Sequence, residues 1–100
     1  MTIVRSYKGI GALLVGERRL ENVNYRLDVF QIRHRLDGRG LLTAESESLS
    51  DAALEEAFSR GRAELVLDSG DIVEIGPSEL TVSSSGPRMT FLSAGTLPGF

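Results

Sequence analysis

Residues 22–33 read NVNYRLDVFQIR, and the first eight positions alternate polar and apolar without a break. Val23, Tyr25, Leu27 and Val29 share one parity; Asn22, Asn24, Arg26 and Asp28 share the other. Successive side chains of a strand point to opposite faces, so this stretch predicts a ribbon buried on one side and wet on the other. After Val29 the apolar positions change parity, to Phe30 and Ile32. A bulge at Val29–Phe30 that bends the strand, as a small barrel requires, accounts for the slip; so does cover on both faces of the strand end.

Similar short patterns run along the rest of the chain. Residues 3–15 predict a strand or a strand pair, with Gly9 and Gly11 where it bends or bulges. Residues 16–21 (GERRLE) read as a charged connection. Asp37-Gly38-Arg39-Gly40 predicts a hairpin turn, and residues 41–47 the returning strand, with Leu42, Ala44 and Leu49 inward. Residues 50–60 (SDAALEEAFSR) carry the one helical spacing. Ser50 suits the N-cap, Asp51 the positive end of the helix dipole, and Gly61 the C-cap, while Ala53, Leu54, Ala57 and Phe58 make a one-sided apolar stripe. Strands then follow at 63–67 and 72–75 around Asp68-Ser69-Gly70-Asp71. Two more follow at 80–84 and 89–93 around Ser85-Gly86-Pro87, with Gly76-Pro77-Ser78 as a break between the pairs.

The fold class expected is therefore mainly β with one helix, a small antiparallel β-barrel or strongly bent sheet. Residues 1–94 are expected to form one barrel-like domain. Residues 95–100 read as an irregular tail whose Leu97 and Phe100 dock on the body or stay mobile. The element order is similar to that of the oligonucleotide-binding five-stranded barrel, in which a helix joins the third and fourth strands, with an extra C-terminal hairpin here. The likeness is one of order alone.

Composition narrows the function classes. One hundred residues, 41% of them hydrophobic and 25% charged, suffice for one domain with a real core. Cysteine is absent, which removes disulfides, thiolate chemistry and the strongest class of zinc site. The longest apolar run near the N-terminus, residues 12–15, is too short for a signal peptide or a membrane span, so a cytoplasmic location is expected. Net charge is −3 and unevenly spread. Residues 1–40 hold eight Lys/Arg against four Asp/Glu, whereas residues 41–100 hold three against ten. Such a split predicts either two halves that pair across one sheet or a basic binding face.

Catalytic equipment is thin. The one histidine, His34, stands between Arg33 and Arg35 with only Asp37 near to orient it as a base. Gly76-Pro77-Ser78-Glu79-Leu80 begins like a nucleophile elbow but lacks its second glycine. Carboxylates gather at Glu45 and Glu47, at Glu55 and Glu56, and around Asp68, Asp71 and Glu74, a pattern that suits solvated strand faces and turns. Gly9-Ile10-Gly11 lacks the third glycine and the following helix of a dinucleotide loop. The expectation is a non-enzymatic binding or assembly module acting through protein–protein contacts, with no cofactor and no metal. Its partner is another protein or a second copy, not a membrane. The alternative is single-stranded nucleic acid or a phosphate ligand, held by Arg18, Arg19, Arg26, Arg33, Arg35 and Arg39.

Overall fold

The computed structural model describes residues 2–45, 48–95 and 97. Alternation becomes strand at β1 (Thr2–Val15), β2 (Arg18–Ile32) and β3 (Arg35–Thr43); helix α1 (Ser48–Arg60) follows, then β4 (Ala63–Val66), β5 (Ile72–Ser83) and β6 (Gly86–Ser93). Every neighbouring pair is antiparallel, and the sheet closes on itself in the order β1-β2-β3-β6-β5-β4. The closing seam is short: Ala12, Leu13 and Leu14 of β1 lie opposite Val66, Leu65 and Glu64 of β4. The helix joins the third and fourth strands, and the long strands β1 and β2 stretch the molecule to 41 × 24 × 22 Å.

The inward parity of each strand builds the core. Leu13, Val15, Val23, Leu27, Val29, Leu42, Leu65, Val73, Ile75, Met89 and Phe91 are all buried in one cluster, with Tyr25 among them. α1 touches β1, β2, β5 and β6, strands from both sides of the ring, so it covers one end. Ala53, Leu54 and Ala57 are its buried stripe. Gly61 ends the helix at φ +74°, its N–H donating to the carbonyls of Ala57 at 3.0 Å and Phe58 at 3.2 Å.

Several local expectations are corrected. Asp37-Gly38-Arg39-Gly40 is not a turn; it lies inside β3, and the reversal falls on Arg33 and His34, with Arg33 at φ +57°. The glycines serve the interior instead: a Cβ on Gly40 would come within 2.4 Å of the Phe91 ring, and one on Gly38 within 2.7 Å of the Ser93 hydroxyl. Gly76-Pro77-Ser78 is not a break either. β5 runs through it, and the register shift between Pro77 and Glu79 makes Ser78 the extra residue of a bulge. The charged connection shrinks to Gly16 and Glu17 because β2 already starts at Arg18.

The slip after Val29 is not a bulge in β2, which keeps an unbroken register with β3 from Asn24 to Ile32. The bulge lies across the ladder in β1, where Val4 has no partner between Ile3–Phe30 and Arg5–Val29. A second irregularity sets Glu21 and Asn22 of β2 against the single residue Ala12, with Asn22 at φ +57°. In the helix, Ser50 sits in the first turn instead of capping it, and both Leu49 and Phe58 face solvent. Leu97 packs into the core; Phe100 and Glu47 lie outside the described residues.

Candidate interaction surface

Strand parity decides which residues the ring turns outward. On β2 these are Asn24, Arg26, Asp28, Phe30 and Ile32, and on β3 Arg35, Asp37, Arg39, Leu41 and Thr43. Register then aligns them in rows across four strands. Lys8, Arg26, Leu41 and Thr90 form one row; Ser6, Asp28, Arg39 and Leu92 form the next. Beyond the first of these rows, Ile10, Asn24, Thr43 and Arg88 continue the face. It carries five cations, Lys8, Arg26, Arg35, Arg39 and Arg88, against the two carboxylates Asp28 and Asp37.

Local pairing links several side chains of this face. Asp28 accepts from the Ser6 hydroxyl at 2.7 Å and from Arg26 Nε at 3.3 Å. Arg39 Nε donates to Asp37 at 3.4 Å, and its guanidinium carbon lies 5.8 Å from the centroid of the Phe30 ring, within cation–π range. The half-buried Phe30 is thus roofed by an arginine. Lys8, Arg35 and Arg88 have no ion pair among the described residues. Leu92, 46% exposed, ends its row on β6, directly across the ladder from Arg39.

The six arginines singled out from sequence do not form one patch. Arg26, Arg35 and Arg39 share the face, and Arg33 sits at the adjoining turn. Arg18 and Arg19 are at the far end of β2, where Arg18 bonds Glu56 of the helix at 3.4 Å and Arg19 pairs with Glu21. Of these six, Arg18 pairs with a carboxylate of the acidic half, whereas Arg19, Arg26 and Arg39 pair with Glu21, Asp28 and Asp37 of their own half. Arg88 was not singled out from sequence. The buried parity of Met89 and Phe91 marks it as outward, but only the β3–β6 register brings it to this face.

The opposite side of the ring carries charges of both signs. Glu64 of β4 and Glu74 of β5 are exposed and lie directly across the ladder from each other. Val66 and the 52%-exposed Ile72 form the next row. Leu14, Gly16, Arg60, Arg62, Glu64 and Glu74 help to line a shallow hollow of about 390 Å³. Arg60 is engaged by Glu56 at 3.5 Å, while Arg62, which lines the same hollow, has no ion pair among the described residues.

No protein-family model, curated protein or solved structure matches the chain.

The remaining candidates each have a structural role. His34 is exposed at the β2–β3 turn, and its one sequence neighbour with a carboxylate, Asp37, bonds Arg39. Ser78 shares a hydrogen bond of 2.9 Å with Thr90 across the β5 bulge. Gly9 and Gly11 make room: a Cβ on Gly11 would meet the Val66 carbonyl oxygen at 2.0 Å, and one on Gly9 the Asp68 carboxylate at 2.7 Å. Tyr25 uses that room. Its hydroxyl donates to Asp68 at 3.0 Å and accepts the Asp68 backbone N–H at 3.1 Å, which latches β2 to the β4–β5 turn. Burial pushes the Tyr25 phenol above the ordinary tyrosine pKa, and the Asp68 carboxylate adds to the rise while its N–H opposes it. Among the described residues no three His, Cys, Asp or Glu side chains gather where they could hold a metal ion, and no helix is long and apolar enough to cross a membrane.

Proposed function

We propose that the protein is a non-enzymatic binding and assembly module that works through protein–protein contacts on the outer faces of its ring. The observation that supports this reading is the outer face of β1, β2, β3 and β6, where Leu92 and Leu41 stand among Lys8, Arg26, Arg39 and Arg88. A mixed apolar and arginine-rich surface suits a protein partner, because arginine both packs and forks to carboxylates. The proposal includes a cytoplasmic location, as the sequence leads one to expect.

A second reading has one observation in its favour. Phe30 and its covering Arg39 could become a stacking step for a base if the guanidinium swung aside, with phosphates on the flanking cations. Against it stands the scarcity of rings: Tyr25 is buried in the core, and Phe91 with it. A fluorescent single-stranded oligonucleotide decides between the two. The protein reading predicts no saturable binding at about 50 mM salt, whereas phosphate contacts would give affinity that falls steeply as salt rises. A photo-crosslinking residue at Leu92 should give discrete protein adducts in cells, and one at Glu55 on the helix should not. Salt-sensitive oligonucleotide binding lost in Arg26→Glu/Arg39→Glu would overturn the proposal.

A further inference from the structure

We infer that the β4–β5 hairpin, residues 63–75, is a hinged flap that opens from β1 while the rest of the barrel stays folded, with Tyr25 as the latch that keeps it shut. The inference concerns the ring's own motion and does not depend on what its outer face binds.

The ring is weakest where it closes. β1 is paired with β2 from Thr2 to Val15, but with β4 only from Ala12 to Leu14. β2 and β3 pair without a break from Asn24 to Ile32. A short ladder has few hydrogen bonds to lose, so local opening begins there. The hairpin itself is tied more firmly. All of β4 pairs with β5, and the turn between them is closed by two backbone bonds. Leu67 N–H donates to the Asp71 carbonyl at 2.8 Å, and Gly70 N–H to the Leu67 carbonyl at 3.0 Å. It therefore leaves β1 as one unit.

Tyr25 bridges the seam. Its ring starts on β2, passes β1 at Gly9 and Gly11, and ends at Asp68 just past β4, where its hydroxyl makes both the 3.0 Å and the 3.1 Å bond. A Cβ on Gly9 would stand 3.1 Å from that hydroxyl and one on Gly11 3.2 Å from the ring, so the two glycines clear its path. Tyr25 is only 4% exposed, and water does not readily replace what the latch gives up.

Glycines stand at both roots of the hairpin. Gly61, at φ +74°, joins it to the helix, and Gly76 joins it to the rest of β5. Gly76 has no positive φ, and a Cβ there would meet nothing nearer than the Gly61 carbonyl oxygen at 3.7 Å. The closed structure thus has no need of a glycine at position 76; a bending backbone does. The same distance shows that the two roots are neighbours, so they form one hinge. Opening carries the fully buried Leu65 away from Leu13 and into water, which keeps the open form a minor one and the seam amides slow in the unaltered chain.

Hydrogen exchange on the full chain, read amide by amide by nuclear magnetic resonance in low urea, tests this. Exchange at residues 12–14 and 64–66 should depend little on urea, whereas residues 26–30 should show the full dependence of global unfolding. Tyr25→Phe should speed exchange at the seam by roughly tenfold more than at residues 26–30. Gly76→Ala should slow it at the seam alone, since the closed structure accepts the extra methyl group. Seam amides that follow global unfolding in urea, a Tyr25→Phe effect equal at both sites, or seam exchange unchanged in Gly76→Ala would overturn the inference. Should Tyr25→Phe fail to fold, the urea dependence of the unaltered chain and the Gly76→Ala variant still decide.

Discussion

A missing methyl group shapes the interior at Gly40. Its backbone lies against the Phe91 ring and the Arg26 carbonyl, at distances no Cβ tolerates. Gly40→Ala should therefore cost about 1–3 kcal/mol through overpacking, read as a lower midpoint in urea. Tyr25 makes the second residue-scale prediction. Because its pKa is raised in the folded state, folding favours the protonated phenol. That contribution is whole below about pH 10, the ordinary tyrosine value, and is lost as pH rises through the folded pKa. Stability measured from pH 8 to 12 should fall at the alkaline end, and Tyr25→Phe should flatten that part of the fall. Sequence showed Tyr25, Leu27 and Val29 as core because parity alone places them. It misread Gly38 and Gly40, since a glycine needed for a neighbour's bulk looks the same in sequence as one needed for a turn.

Within the elements, the helix offers a contrast on one rod. Leu54 is fully buried against the ring, whereas Phe58, one turn on, is 45% exposed. Leu54→Ala should cost about 2–5 kcal/mol, while Phe58→Ala should change thermal stability little. Spacing alone placed both on one stripe; where the stripe's edge falls depends on which strands lie beneath it. The β5 strand teaches the same lesson. Val73 and Ile75 point inward on odd numbers and Leu80 on an even one, which in sequence reads as two strands with a break. Ser78 absorbs the phase change as a bulge, so one strand serves both parities. The slip at Phe30 has the opposite cause: β2 stays regular, and Phe30 remains outward under Arg39.

For the whole molecule, strand order governs what the surface can do. The charge split between the two halves was legible by counting, and the mainly β class with one helix by periodicity. The candidate face was legible only in part. Arg26, Arg35 and Arg39 were in view, but Lys8 and Arg88 join them through two separate ladders, and Glu64 meets Glu74 through a third. Arg18 and Arg19, adjacent in composition, are carried to the far end by the length of β2. Two separate outer faces exist only because the sheet closes, and closure rests on the three-residue seam between β1 and β4. Cross-strand nuclear Overhauser effects at that seam test the account most directly. Contacts linking Leu13 to Leu65 and Ala12 to Val66, with slow amide exchange there, are the predicted result. Their absence, with rapid exchange along residues 12–14, would mean an open sheet and would contradict the closed ring.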